Sequence, residues 1–286
     1  MGSKDITEKQ LEALNDVFAD IVNVLLFKGK RLMKEDELEA EEKDSQFKAD
    51  GKLHEQERDV SKIWKNGEIR ISILAFENQT VMDYKMPLRV ISYDGASYKK
   101  QLLDTKLEMN YPVTTLVLYF GYKQRWRAPR NLYGCFNVSE ELKPFVSDYK
   151  INVFEIAWLD EKTVNMFQSD FKFIAQYIRA KRLKKKYIPT DEEIQHADDL
   201  FKMFTALTGD KSFETTYNEV SKEKRGGITM DEIVEGFKNE GRDEGKAEII
   251  GNLIESEAGT LEQIAAWVKL PLDEVKKIAA KVPVKA

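Results

Sequence analysis

The chain has 286 residues, 42% hydrophobic and 33% charged, with a formal net charge of −5. That length suits one large domain or two smaller ones with a real core. One cysteine and two histidines exclude an intrachain disulfide framework and a Cys/His zinc site. No apolar run approaches the roughly 18 residues of a membrane span, and the first residues lack the apolar stretch of a signal peptide. A cytoplasmic protein with no membrane partner is the simplest expectation.

Residues 6–28 read as an amphipathic helix, because Leu11, Leu14, Phe18, Ile21 and Leu25 recur at three- and four-residue steps. Asp16 and Asp20 lie one turn apart on a flank of that face, which suits a solvated edge as well as a pair of working acids. Residues 34–55 are acidic and weakly periodic, and read as a loop or loose helix. Glu57 to Trp64 reads as a strand with Asp59, Ser61 and Ile63 on one face. Asn66-Gly67 is a hairpin turn signal, and Ile69 to Gln79 is the second arm. On that arm Ile69, Ile71, Ile73 and Ala75 share a face with Glu77 and Gln79. An apolar row that ends in a carboxylate calls for a partner such as a cation. Spacing alone does not fix whether Asp59 faces Glu77.

Pro87 opens a helix. Its apolar stripe is Leu88, Ile91, Tyr98 and Leu102, with Arg89 and Tyr93 on another face. Thr114 to Phe120 is nearly all apolar and fits a central strand covered on both sides. Ile151 to Leu159 reads as a further strand, and Cys135 as a small buried thiol. Helix, strand, strand, helix, strand, strand describes an α/β core ending near residue 168. The remainder reads as helical. Phe171 to Lys186 is one helix, and capping-box patterns follow Thr190, Thr229 and Thr260. Gly236, Gly241 and Gly245 interrupt residues 230–255, each weakening that helix by about 1 kcal/mol. Residues 260–282 read as two short helices around Leu270-Pro271-Leu272, a helix-turn-helix-like hairpin. The expected division is 1–188 and a helical region 189–286.

Charge is unevenly spread. Residues 35–59 hold eleven acids and four bases, whereas residues 179–187 hold six bases and no acid. Four more bases surround Trp126 in residues 123–130. Bases gathered on one face can bind a polyanion even on an acidic protein. Arg125, Arg127, Lys184 and Lys185 are therefore candidate DNA contacts, with solvated loop or helix as the competing reading. Trp126 either stacks on a base or packs beneath the arginine stems.

Were Asp59 and Glu77 to converge, two carboxylates and the backbone carbonyl of Asn78 would form a hard oxygen site suited to Mg²⁺ or Mn²⁺. Such an ion acidifies water and offsets charge on a phosphodiester. Gln79 would orient water or phosphate by hydrogen bonds, and Asp16 would add a carboxylate behind the direct ligands.

Four segments carry a resemblance: Asn15 to Asp20, Arg58-Asp59-Val60, Phe76-Glu77-Asn78-Gln79, and Asp83 to Asp94. In this order and spacing they resemble the recombination-promoting nuclease/putative transposase (Rpn) family, a branch of the PD-(D/E)xK nuclease superfamily. The likeness covers most of residues 11–100, and the glycine-interrupted helix and terminal hairpin resemble the tails of such proteins. It implies a PD-(D/E)xK restriction-endonuclease-like α/β core, a mixed central sheet flanked by helices, followed by an α-helical C-terminal region. It implies Mg²⁺- or Mn²⁺-dependent hydrolysis of DNA phosphodiesters, linked to recombination or mobile elements. By position, Asp59 and Glu77 match the metal-binding acids, Gln79 the place where the superfamily has lysine, and Asp16 the acid of the first helix. Arg89 and Tyr93 match the helix that faces the phosphate. The glutamine in place of lysine keeps a second reading open, a nuclease-like DNA-binding or adaptor protein with weak or no catalysis. A third role is self-association through the C-terminal helices.

Overall fold

The computed structural model describes residues 11–40, 46–49, 52–55, 60–65, 69–76, 83–105, 110–209, 212–223, 226–256 and 259–279, along some stretches by backbone alone. Asp59, Glu77, Asn78 and Gln79 lie outside the described residues. The chain divides into two compact units, 1–189 with 194–214 and 190–193 with 215–286.

The first unit is built on a five-stranded mixed sheet in the order β1-β4-β5-β6-β7. Its strands are β1 (Leu38–Ala40), β4 (Val60–Trp64), β5 (Ile69–Phe76), β6 (Val113–Tyr119) and β7 (Asn152–Glu155). β4 and β5 form the antiparallel hairpin expected from Asn66-Gly67, with Val60 opposite Ile73 and Trp64 opposite Ile69. β5, β6 and β7 run parallel. β6 is central and nearly all buried, as its apolar run requires. The strand expected to reach Leu159 stops at Glu155, where Ile156–Trp158 turns into a 3₁₀ helix.

The acidic stretch is a correction. Rather than loop or loose helix, it contains β1 and a separate two-stranded ribbon of β2 (Gln46–Ala49) and β3 (Lys52–Glu55). β1 is held by β4, with Leu38 opposite Trp64, and such pairing leaves no trace in local periodicity. Ala49 pairs with Lys52 across a two-residue connection. Its sequence, Asp50-Gly51, is a hairpin signal that the surrounding acidity obscured.

The helix expected over 6–28 is broken at Leu14, which is extended (φ −68°, ψ 137°). Residues 6–10 lie outside the described residues, residues 11–13 are helical before the break, and helix α1 (Asn15–Leu25) follows it. It buries Val17, Phe18, Ile21 and Val22. Beside it, buried Lys62 of β4 donates to Asn15 Oδ1 and lies over the Phe18 ring, 5.7 Å from its centroid.

Helix α2 (Met86–Leu103) links β5 to β6 and has Pro87 in its first turn. Its buried face is not the expected stripe. Met86, Val90, Tyr93, Asp94, Ser97 and Gln101 face inward, while Tyr98 is 42% and Leu102 77% exposed. Polar residues can face inward here because each is satisfied. Asp94 accepts from Thr115 Oγ1 at 2.6 Å and from Tyr149. Gln101 exchanges two bonds with the Tyr111 backbone at 3.0 and 2.9 Å.

α3 (Glu161–Val164), α4 (Phe171–Leu183) and α5 (Ala197–Thr208) complete this unit. Tyr177 of α4 meets Phe204 of α5 and Phe213 edge-on, and those two phenyl rings stack at 4.7 Å. Thr190 caps no helix, since α5 begins only after His196. α6 (Ser212–Glu223) follows.

In the second unit α7 (Met230–Glu255) runs unbroken through its four glycines, Gly251 among them, from a capping box at Thr229. α8 (Leu261–Val268), capped by Thr260, and α9 (Leu272–Ala279) close around Ile250, Ile264, Ala265 and Val275. Lys269, at φ 54°, makes the left-handed step between them.

Candidate functional site

The three parallel strands finish in line. Phe76 pairs with Tyr119, and Tyr119 with Glu155. Antiparallel β4 begins at this same end. Ligands of open α/β sheets bind outside the carboxyl ends of the strands. In sequence Asp59 immediately precedes β4, and Glu77, Asn78 and Gln79 immediately follow β5.

The first basic segment leaves the end of β6, and Glu155 organises it. Its carboxylate accepts from Arg130 at 2.8 Å and from the Trp126 backbone N–H at 3.0 Å, with Arg125 at 3.9 Å. Trp126 itself is buried and meets Tyr119 edge-on at 5.4 Å. A buried ring offers no face to a base, and its packing is in the core against Tyr119. Arg125 and Arg127 are exposed.

The second basic segment meets the first at Trp158. The Arg125 guanidinium lies 4.7 Å and the Arg182 guanidinium 4.8 Å from the Trp158 ring centroid. Arg182 Nε also donates to Ala157 O at 2.7 Å, and Trp158 Nε1 to Gly121 O at 3.1 Å. Lys184 ends α4 in a left-handed conformation, and it and Lys185 are exposed. Arg182 belongs to the basic run of residues 179–187, whereas Trp158 does not stand out in the sequence as a member of this group. The signal was the charge run, but its partner could be found only in space.

Arg89 and Tyr93 do come together, with Arg89 Nη2 3.5 Å from the Tyr93 hydroxyl and Arg89 Nη1 3.1 Å from Asp83. Burial works against the guanidinium charge, but the bonds and charge of Tyr93 and Asp83 outweigh it and raise its pKa. The Tyr93 ring is core, packed with Met86 and Val90, and its hydroxyl lies at Arg89.

The acids of α1 are not a solvated repelling pair. Asp20 is buried, and its Oδ2 accepts from the backbone of Gln168 and Ser169 at 2.8 Å each and from Ser169 Oγ at 2.7 Å. Its other oxygen pairs with Arg31. Asp16 remains half-buried and meets His196 Nε2 at 2.8 Å. The backbone of His196 is held in turn by buried Asp170, which accepts from the N–H groups of Gln195 and His196, the latter at 2.6 Å. Burial raises the Asp170 pKa, and these backbone bonds oppose the rise. The sequence excludes a Cys/His zinc site but gives no sign of this pairing of His196 with Asp16. Cys135 is half-buried rather than buried, and burial raises its pKa, so it is no activated thiolate.

Among the described residues no group of three His, Cys, Asp or Glu side chains forms a metal cage, and no helix is long and apolar enough to cross a membrane. Fold and surface define a mixed α/β protein with exposed bases, Arg125 and Arg127, in the segment that follows the central parallel strand. The chain belongs to the family described as "Putative transposase, YhgA-like", whose profile matches residues 50–213, more than half of its length. Comparison with curated proteins and with solved structures returned no match.

Proposed function

We propose that this protein is a metal-dependent DNA endonuclease on a PD-(D/E)xK-like core, hydrolysing phosphodiester bonds and linked to recombination or mobile elements. The observation that carries this reading is the alignment of strand ends at Phe76, Tyr119 and Glu155 beside the basic segment that leaves β6, in a chain of the transposase family. Glu77 is the next residue after Phe76, and Asp59 is the residue before β4 at that same end.

The donor chemistry fits Mg²⁺ or Mn²⁺. Asp59, Glu77 and the Asn78 carbonyl offer hard oxygens, and the half-buried Asp16 carboxylate has His196 as its one partner among the described residues. When bound, such an ion offsets charge on the phosphodiester and makes water a better nucleophile. Gln79 would orient water or a phosphate oxygen by hydrogen bonds, and it can supply neither a proton nor positive charge. Arg89, held by Asp83, and the Tyr93 hydroxyl would contact the phosphate from α2, with Arg125, Arg127, Lys184 and Lys185 along the DNA backbone.

Incubation with supercoiled plasmid and Mg²⁺ or Mn²⁺ tests the reading. Nicking is expected from the wild type and lost in Asp59→Ala and Glu77→Ala. Nicking that survives in both variants overturns the assignment. The absence of lysine at Gln79 favours one alternative, a nuclease-like DNA-binding or adaptor protein. It predicts salt-sensitive DNA binding with no cleavage under either ion.

A further inference from the structure

The two basic segments share one aromatic ring, and this restricts what they can read. Trp158 is anchored through its indole N–H. It closes the 3₁₀ turn that follows β7, and its indole N–H is bonded to Gly121 O at 3.1 Å. The Arg125 and Arg182 guanidiniums both lie over that ring, at 4.7 and 4.8 Å. Stacking orients a guanidinium while leaving its N–H edges for an oxyanion. It also occupies the ring, so Trp158 cannot offer an open π-face to an unpaired base.

One carboxylate, Glu155, offsets this charge in part, shared between Arg130 and Arg125. Glu155 serves Arg130 at 2.8 Å and stands only 3.9 Å from Arg125, which is 62% exposed. Arg182 has no carboxylate partner among the described residues; its Nε is bonded to Ala157 O. Lys184 and Lys185 are exposed beyond the end of the same helix. The result is fixed, forked positive charge with the aromatic surface already used. The complementary partner is a polymer that presents phosphates outward and keeps its bases paired inside.

We propose that Arg125, Trp158 and Arg182, extended by Lys184 and Lys185, dock the phosphate backbone of double-stranded DNA without reading its bases. This deepens the nuclease reading and rests on it for the identity of the polyanion. Trp158 acts through the arginines as a positioning residue, and Arg182 is the member of the 179–187 run that the ring orients.

The test is fluorescence anisotropy with labelled 30-base-pair duplexes in EDTA across a range of KCl concentrations. Two unrelated duplexes are expected to bind alike, and more tightly than single-stranded oligo(dT) or duplex RNA. Arg125→Gln and the double variant Lys184→Gln/Lys185→Gln alter exposed side chains and are expected to remain folded. Each should weaken binding roughly three- to tenfold, and lower the salt slope by about one per lost phosphate contact. Trp158→Leu keeps every charge, yet should weaken binding with a smaller change in slope. Unchanged affinity and slope in the Arg125 and lysine variants would overturn the proposal. So would a tenfold preference between duplexes, tighter binding of oligo(dT) or RNA, or no duplex binding by the wild type, the result expected if the surface serves an acidic protein. EDTA separates this from the nuclease reading. Duplex binding without nicking in metal defeats that reading alone, and nicking by variants that bind like wild type defeats this proposal alone.

Discussion

His196 Nε2 lies 2.8 Å from Asp16 Oδ2, joining the first helix to the start of α5 across 180 residues of chain. Asp170 holds the backbone of His196 in place, so the ring is positioned from both ends. Both side chains are partly exposed, which limits the strength of the pair. A double-mutant cycle with Asp16→Asn and His196→Ala should give a coupling of about 0.2–1 kcal/mol by urea denaturation. Zero coupling would mean that the pair adds nothing to stability.

Asp20 is predicted to be the more severe site. It accepts three hydrogen bonds on one oxygen and pairs with Arg31 through the other, all while buried. Asp20→Ala strands the N–H groups of Gln168 and Ser169 and should cost about 3–5 kcal/mol. Asp20→Asn keeps one acceptor and should cost less. The difference in urea midpoint between the two variants checks the order.

Asp170 gives a pH dependence of definite sign. Its folded pKa lies above the ordinary 3.8, chiefly through burial. Between those two values the folded chain binds more protons than the unfolded one, so stability falls as pH rises through the window. Asp170→Asn should remove that part of the slope, and wild-type and variant unfolding curves measured upward from pH 4 would show it.

Lys62 gives the opposite sign. Burial lowers its pKa below 10.5. From the lowered value up to 10.5 the unfolded chain binds more protons, so stability rises as pH climbs through that interval. Lys62→Met removes the buried cation and leaves half-buried Asn15 to water. It should be neutral or stabilising at pH 7, by about 0–2 kcal/mol, and should lose the alkaline rise. A clear destabilisation would show that the bond to Asn15 outweighs desolvation.

Gly121 is fixed by close approach. A Cβ there would stand 2.0 Å from the Tyr119 hydroxyl, on a ring that is wholly buried and cannot step aside. Gly121→Ala should cost about 1–3 kcal/mol. It should also disturb the Trp158 bond to Gly121 O, visible as a change in tryptophan emission.

Much of the first unit was legible before any coordinates. The Asn66-Gly67 hairpin, the buried β6 and the helix opened at Pro87 follow from turn chemistry, apolar runs and proline placement, which act over a few residues. The inward face of α2 was not legible. Asp94 and Gln101 look like surface residues until Thr115, Tyr149 and the Tyr111 backbone are brought to them. β1 likewise exists because β4 is there to pair with it.

The candidate site divides in the same way. The order of Asp59, Glu77 and Gln79 and the two basic runs are written in the chain, and so is the family to which it belongs. Tertiary structure alone decided that those runs meet at Trp158, that Trp126 is core, and that Asp16 is held by His196 while Asp20 is locked inside. Local patterns determine what a segment of backbone becomes. Which charge stands beside which ring depends on contacts between residues tens to hundreds of positions apart, and only the closed fold supplies them.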